Sequence, residues 1–207
     1  MSMSKNQIIT IGRQVGSGGR LIGKMIAERL NLAFYDHEIL SLAARESGIR
    51  DEFFESNDEK GSLFSRLTNY FSMSAHIPSS SSCLTSESLF KFQSDAIRRA
   101  ATEGGAVFVG RASDYILRDF PNRTDIFVMA PIEERVKRAS QYFNLDPKEA
   151  RQRIETMESA RAEYYNFFTN KTWGMASSYD FCINSGGLSI EQCTDLIISF
   201  IAQRQQS

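Results

Sequence analysis

The chain is poor in cysteine: Cys83, Cys182 and Cys193 form no C-x-x-C pair and no even framework, which argues against a disulfide scaffold and for reduced thiols in a cytoplasm. With only His37 and His76 besides, the ligands for a zinc site are too few. Long apolar runs are missing as well. The longest near the end, "LIISFIA", is far too short to span a bilayer, and the opening "MSMSKNQIITIG" has neither the basic nor the apolar region of a signal peptide. Charge of one sign is also lacking: 24 Lys and Arg stand against 25 Asp and Glu, for a formal charge of -1, with none of the basic excess that long nucleic acids or anionic membranes attract. What is present is a globular composition, 42% hydrophobic and 24% charged over 207 residues, with room for one domain and an insertion.

Apolar runs bounded by turn residues predict short buried strands at 7–12 (QIITIG), 33–36 (AFYD), 106–109 (AVFV), 125–130 (DIFVMA) and 180–184 (DFCIN). Helical spacing lies between them, so the layout is βαβ and the sheet mostly parallel. The first helix is expected to bury Leu21, Ile22, Met25, Ile26 and Leu30 and to leave Lys24, Glu28 and Arg29 in solvent. A helix over 86–103 uses Leu89, Phe92, Ala96, Ile97 and Ala100 in the same way. Pro131 is expected at a first helical position. In "LDPKEA", Asp146 reads as N-cap, Pro147 as first residue and Glu149 as the returning arm of a capping box, and Ser189 with Gln192 repeats the device. The polar stretch "HIPSSSSCLTSES" marks 40–95 as an insertion carrying a mobile loop.

The chemistry starts in "ITIGRQVGSGGRLIGKMIAERL", residues 9–30. A phosphate needs several N–H donors converging on it, and a glycine-rich turn running into a helix N-terminus supplies them. Gly16, Ser17, Gly18 and Gly19 lie where such a turn must be. The full pattern G-x-x-x-x-G-K-[ST] adds a lysine for the outer phosphates and a hydroxyl for magnesium. With Gly18 as its last glycine, those positions hold Gly19 and Arg20; with Gly19, they hold Arg20 and Leu21. Only the second register offers a positive charge, the fork of Arg20, and neither offers a hydroxyl. A dinucleotide fold is a weaker match: Asp36 lies about 20 residues past the loop, as a ribose-binding acid would, but G-x-G-x-x-G fails because Gly16 and Gly18 are followed by Leu21.

"TIGRQVGSGGRLIGKMIAERL", "FYDHEIL", "VFVGRASDYIL", and "MESARAEYYNFFTNKTW" running into "YDFCINSGGLSIEQC" resemble the cytidylate kinase-like family, relatives of the nucleoside monophosphate kinases. The resemblance touches nearly the whole length. It implies an α/β fold, a P-loop NTPase-like three-layer sandwich with a five-stranded, mostly parallel sheet. Residues 1–207 would form a single kinase-like domain, with an acceptor-binding insertion at 40–95 and a helical lid at 140–172. It also implies that Gly16 to Arg20 surround donor phosphates and that Asp36 lies near the acceptor. Cytidylate kinases carry glycine, arginine and aspartate after the third strand; here Gly110 and Arg111 are followed by Ala112, with Asp114 two residues on. Glu158 and Arg161 hold part of the lid pattern, followed by the aromatics Tyr164, Tyr165, Phe167 and Phe168.

Phosphoryl transfer relies on positioning and positive charge, so arginines are the residues to rank. Arg111 and Arg13 end apolar strands at the carboxyl edge, where open α/β sheets bind ligands. Arg153 and Arg161 lie about 80° apart around one helix and can lean toward one ligand or pair with Glu155 and Glu158. Arg135 and Arg138 in "EERVKR" read as surface-paired, Asp36 as either an acceptor contact or an N-cap, and Trp173 with the tyrosine pair as a packed cluster. The expected catalytic set is Arg20, Arg111 and Arg161, with Arg13 and Gly16 to Arg20 on the donor and Asp36 and Arg111 on the acceptor. The expected activity is phosphoryl transfer from ATP to a nucleoside monophosphate, CMP or dCMP, with Mg²⁺ carried by ATP. No long nucleic acid and no membrane is expected as a partner. A nucleotide sensor without turnover, or a kinase of another small metabolite, fits the same residues.

Overall fold

A computed structural model of the chain describes residues 6–36 and 86–204. Residues His37–Arg99 form one compact unit, and Met1–Asp36 with Ala100–Ser207 form the other. Most of the expected insertion at 40–95, with its serine run, and the helix expected after Asp36 therefore lie outside the described residues. Of the first unit, the description covers residues 86–99, where Ala96 and Ile97 are buried.

The second unit is built on five parallel strands: β1 (Ile8–Arg13), β2 (Ala33–Tyr35), β3 (Ala106–Val109), β4 (Arg123–Met129) and β5 (Phe181–Asn184), in the order β2-β3-β1-β4-β5. Among the described residues, four helices of ten residues or more accompany them, α1 (Gly19–Leu30), α4 (Ile132–Phe143), α5 (Pro147–Thr169) and α6 (Ile190–Arg204), with one turn of helix, α3, at Ser113–Ile116, while α2 (Ser86–Glu103) belongs mostly to the first unit. The parallel sheet is the architecture expected from alternating apolar runs and helical spacing. β4 begins two residues earlier than the apolar run suggests. Arg123 extends it by donating to both carboxylate oxygens of Asp125 and to the carbonyl of Leu117.

Alternation along β1 sends Ile9 and Ile11 to one face, where they join Val107, Val109, Ile126 and Val128 under Ile22 and Ile26 of α1 and Ile197 and Ile201 of α6. Each such side chain contributes on the order of 2 kcal/mol by leaving water. Helix α1 lies close on the sheet because Gly23 has no side chain: a Cβ there would come within 2.9 Å of Ile11 and 3.0 Å of Val109. This sets the buried stripe as Ile22, Gly23, Ile26 and Ala27, so Leu21, expected in the core, is instead 55% exposed. On the other face of β1, Thr10 Oγ1 donates to Asp125 Oδ1 at 2.7 Å.

The capping boxes form as expected. Asp146 accepts from the amides of Lys148 and Glu149, both at 2.8 Å, while Glu149 accepts from the amide of Asp146. Ser189 and Gln192 do the same for α6. Pro131, expected at the first helical position, is one residue earlier: its ψ of 143° is extended, and it is the N-cap of α4. Adjacent strands β2, β3 and β1 thus bring Asp36, Arg111 and Arg13 to one carboxyl edge.

Candidate active site

The turn after β1 is held by its own backbone. Gln14 donates its amide to Val128 at 3.0 Å and accepts from Ala130 through its side chain, and Ser17 donates twice to the carbonyl of Gln14. Gly16 (φ 77°) and Gly18 (φ 82°) take the left-handed conformation, and Gly19 begins α1. The N-cap residue, Gly18, has no side chain to offer, and the amide of Gly19 donates a long hydrogen bond of 3.4 Å to the hydroxyl of Ser17. The positive end of the helix dipole lies at this turn. Because the last left-handed glycine before the helix is Gly18, the register is the first of the two weighed above: Gly19 stands where a loop lysine would, and Arg20 where the hydroxyl would.

Arginines read as surface-paired turn out to build this turn. Arg135 is buried, donating Nε to the carbonyl of Ala130 at 3.0 Å and Nη1 to Glu158 at 2.7 Å. The same Glu158 oxygen accepts from the amide of Val15 at 2.9 Å. Arg138 reaches the carbonyl of Gly16 and the hydroxyl and carbonyl of Ser185, and Ser185 donates to the carbonyl of Ser17 at 2.7 Å. In "EERVKR" the charge density imitates a solvated face. The signal that separates Arg135 from its neighbours is the helical stripe it shares with Val136 and Ala139. The strut formed by Glu158 and the clasp formed by Ser185 have no sequence signal, since both partners are far away along the chain.

Around the carboxyl edge the expected residues converge on one carboxylate. Asp36, nearly buried, accepts from Arg20 Nε at 2.6 Å and lies 3.5 Å from Arg13 Nη2. Arg161 of α5 donates to the carbonyl of Arg13 at 3.1 Å. Arg111 feels Asp36 too, on a backbone with φ 61°. Burial lowers all three inner guanidinium groups from their usual range. Arg13 falls to about 10, its burial offset by Asp36 and reinforced by Arg111 and Arg20. Arg161 falls to about 9 through burial and the neighbouring Arg13 and Arg111. A guanidinium stays protonated at neutral pH all the same. Among the described residues, Arg13, Arg20, Arg111 and Arg161 thus gather around Asp36, with Glu158 also acting on Arg161, a concentration of positive charge that attracts an anion.

Other candidates go elsewhere. Arg153 stacks on the ring of Phe143 at 4.6 Å, away from Arg161. Asp114 is buried and accepts from the hydroxyl of Tyr165 at 2.6 Å, and burial lifts its carboxyl above the usual range. It is therefore committed to α5 and does not replace the acid missing at Ala112. Trp173 packs edge-on against Phe127, whereas Tyr164 and the exposed Phe167 pack against Phe168 and Tyr165 bonds Asp114, so Trp173 and the tyrosine pair, expected in one packed cluster, have different partners. His37 lies outside the described residues.

The sequence of residues 8–187 matches the model of the cytidylate kinase-like family. The chain belongs to the cytidylate kinase-like family. Among solved structures, it is similar to an uncharacterised protein from Eubacterium ventriosum, with 27% identity, a TM-score of 0.71, and coverage of 95% of this chain and 98% of that one. It shares its fold with a shikimate kinase from Acinetobacter baumannii solved with shikimate, at 12% identity and TM-score 0.55 over 100% and 97% of the two chains. A gluconokinase from Sinorhizobium meliloti shares it too, at 14% identity and TM-score 0.53 over 97% and 94%. No curated protein matches. The chain thus combines membership of this family with the fold of these kinases, and among the described residues no helix is long and apolar enough to cross a membrane.

Proposed function

We propose that this chain is a cytoplasmic, ATP-dependent phosphotransferase that moves the γ-phosphoryl group to a small phosphorylated acceptor, CMP or dCMP first among them. The observation that carries the reading is the convergence of Arg13, Arg20, Arg111 and Arg161 on Asp36 beside a helix N-terminus whose N-cap residue, Gly18, offers no side-chain acceptor. Donor phosphates sit on the amides of Gly16, Ser17, Gly18, Gly19 and Arg20. Arg111 takes the acceptor phosphate, with Asp36 beside it, and Arg161 neutralises charge on the group in transfer. A reaction of this kind needs alignment and positive charge rather than a covalent partner, and four guanidinium groups supply both. The donor set suits phosphate, but the position where such loops carry a metal-binding hydroxyl holds Arg20, and the Ser17 hydroxyl is bonded to the carbonyl of Gln14. Mg²⁺ is carried in by the nucleotide, where it neutralises phosphate charge.

The inserted residues 40–95 select the acceptor in this reading, and 140–172 act as the lid. A second reading, a sensor that binds nucleotide without turnover, draws on Gly19 and Arg20 where catalytic loops carry lysine and a hydroxyl. A third, a kinase of another metabolite, draws on the fold shared with a shikimate kinase and a gluconokinase.

ADP formation from Mg·ATP, measured over a panel of nucleoside monophosphates, shikimate and gluconate, separates the three. Turnover with CMP that Arg111→Ala lowers by about 100-fold, as expected for loss of a charged contact to the reacting groups, supports the first. Nucleotide binding without turnover on any acceptor supports the sensor.

A further inference from the structure

We propose that Arg13, at the end of β1, supplies the positive charge that a loop lysine supplies elsewhere, reaching the donor phosphates across Gly19. This rests on the donor reading given above and assigns the task to a different residue from Arg20, the charge that the sequence puts forward.

The space decides it. A Cβ on Gly19 would come 2.6 Å from Cβ and 3.2 Å from Cγ of Arg13. The stem of Arg13 thus occupies the volume from which a lysine at position 19 would start. At its far end the guanidinium lies against Gly110, where an added Cβ would collide with Nη1 and stand 2.8 Å from Cζ. Two glycines from separate turns leave a track for one side chain, and the track runs from the start of α1 along the carboxyl edge toward Arg111. A lysine at 19 and an arginine at 13 exclude each other.

The surroundings of the two arginines separate them further. Arg13 is 19% exposed, and its contact with Asp36 at 3.5 Å is longer than a good charged hydrogen bond, so a phosphate oxygen competes for it readily. Arg20 is 49% exposed and gives Nε to Asp36 at 2.6 Å. Its side chain is held to the acid, beyond the mouth of the turn. Arg161 fixes the backbone of Arg13 by donating to its carbonyl, so the guanidinium starts from a set position. Arg13 is accordingly the cation closest in origin to the missing lysine.

The test exchanges the two positions. Binding of tripolyphosphate and of Mg·ADP is measured by calorimetry for the wild type, Arg13→Ala, Arg20→Ala, Gly19→Lys and the double variant Arg13→Ala/Gly19→Lys. Arg13→Ala is expected to weaken tripolyphosphate by about tenfold or more and Arg20→Ala by about threefold, in line with losing a full or partial charged hydrogen bond. Gly19→Lys alone is expected to bind poorly because its stem collides with Arg13, and the double variant to regain most of the wild-type affinity. Unchanged binding by Arg13→Ala, or no rescue in the double variant, overturns the assignment while leaving the donor reading in place. Should Arg13→Ala not fold, Arg13→Gln keeps the stem and removes the charge, and wild-type affinity in that protein overturns the assignment equally. A wild type that binds neither probe overturns the assignment and the donor reading together.

Discussion

Two turns at the carboxyl edge solve the same problem in opposite ways. After β1, the left-handed positions are both glycine, Gly16 and Gly18, and the turn is bonded to β4, α4, α5 and the segment after β5. After β3, three consecutive residues are left-handed, and only Gly110 is a glycine; Arg111 (φ 61°) and Ala112 (φ 53°) carry side chains there. A left-handed L-residue costs about 1 kcal/mol, so the second turn retains strain where the first has none. In the proposed function the first turn presents backbone amides, which glycine does without strain, and the second aims one side chain, Arg111, at the cost of some.

The largest effect is expected from breaking the first turn. Gly16→Val puts a β-branched residue at φ 77° with its Cβ 2.6 Å from the carbonyl oxygen of Arg135, and should destabilise by about 4 kcal/mol or more in urea unfolding. Gly18→Val, where the nearest neighbour is the movable end of Ile190, should fold but lose Mg·ATP binding in calorimetry. Next comes the strut: Glu158→Ala leaves Arg135 buried without its carboxylate and the amide of Val15 without an acceptor, for about 3 kcal/mol in chemical denaturation. Relaxing the second turn sharpens the contrast, since Ala112→Gly should raise stability by about 0.5–1 kcal/mol, read as a higher melting temperature.

The smallest effect concerns what lies behind that turn. Burial raises the Asp114 carboxyl above its ordinary 3.8, so the folded protein holds this proton more tightly than the unfolded chain. The stability it contributes is full below 3.8 and is lost as pH rises through the raised value. Asp114→Asn, which still accepts from Tyr165, should remove that slope, so that denaturation curves between pH 4 and neutrality change less with pH than those of the wild type.

Much of the fold was legible because β1, β3 and β4 are apolar runs buried on both faces, with turn residues at each end. Asp146 and Glu149 marked the start of α5 without any tertiary information. The register of the turn was not legible, since "GSGGR" allows Gly18 or Gly19 as the last loop glycine and only the backbone angle at Gly18 decides. Leu21 was misplaced because hydrophobicity alone does not reveal that Gly23, with no side chain, defines the buried stripe. Arg135 was misplaced because a buried cation looks like a surface one until Glu158, distant in sequence, is brought beside it. Arg13, Arg20 and Asp36 were legible as candidates, and the structure brings them together, but the route of Arg13 across Gly19 was not legible.

The strut and the clasp also set an order of events. The turn after β1 is made before its partners: the amide of Val15 waits for Glu158, 143 residues further on, and the carbonyl of Ser17 for Ser185, 168 residues further on. A growing chain therefore has no finished turn until Ser185 has emerged, and in the proposed function a truncation before Ser185 would disarm nucleotide binding from far along the chain.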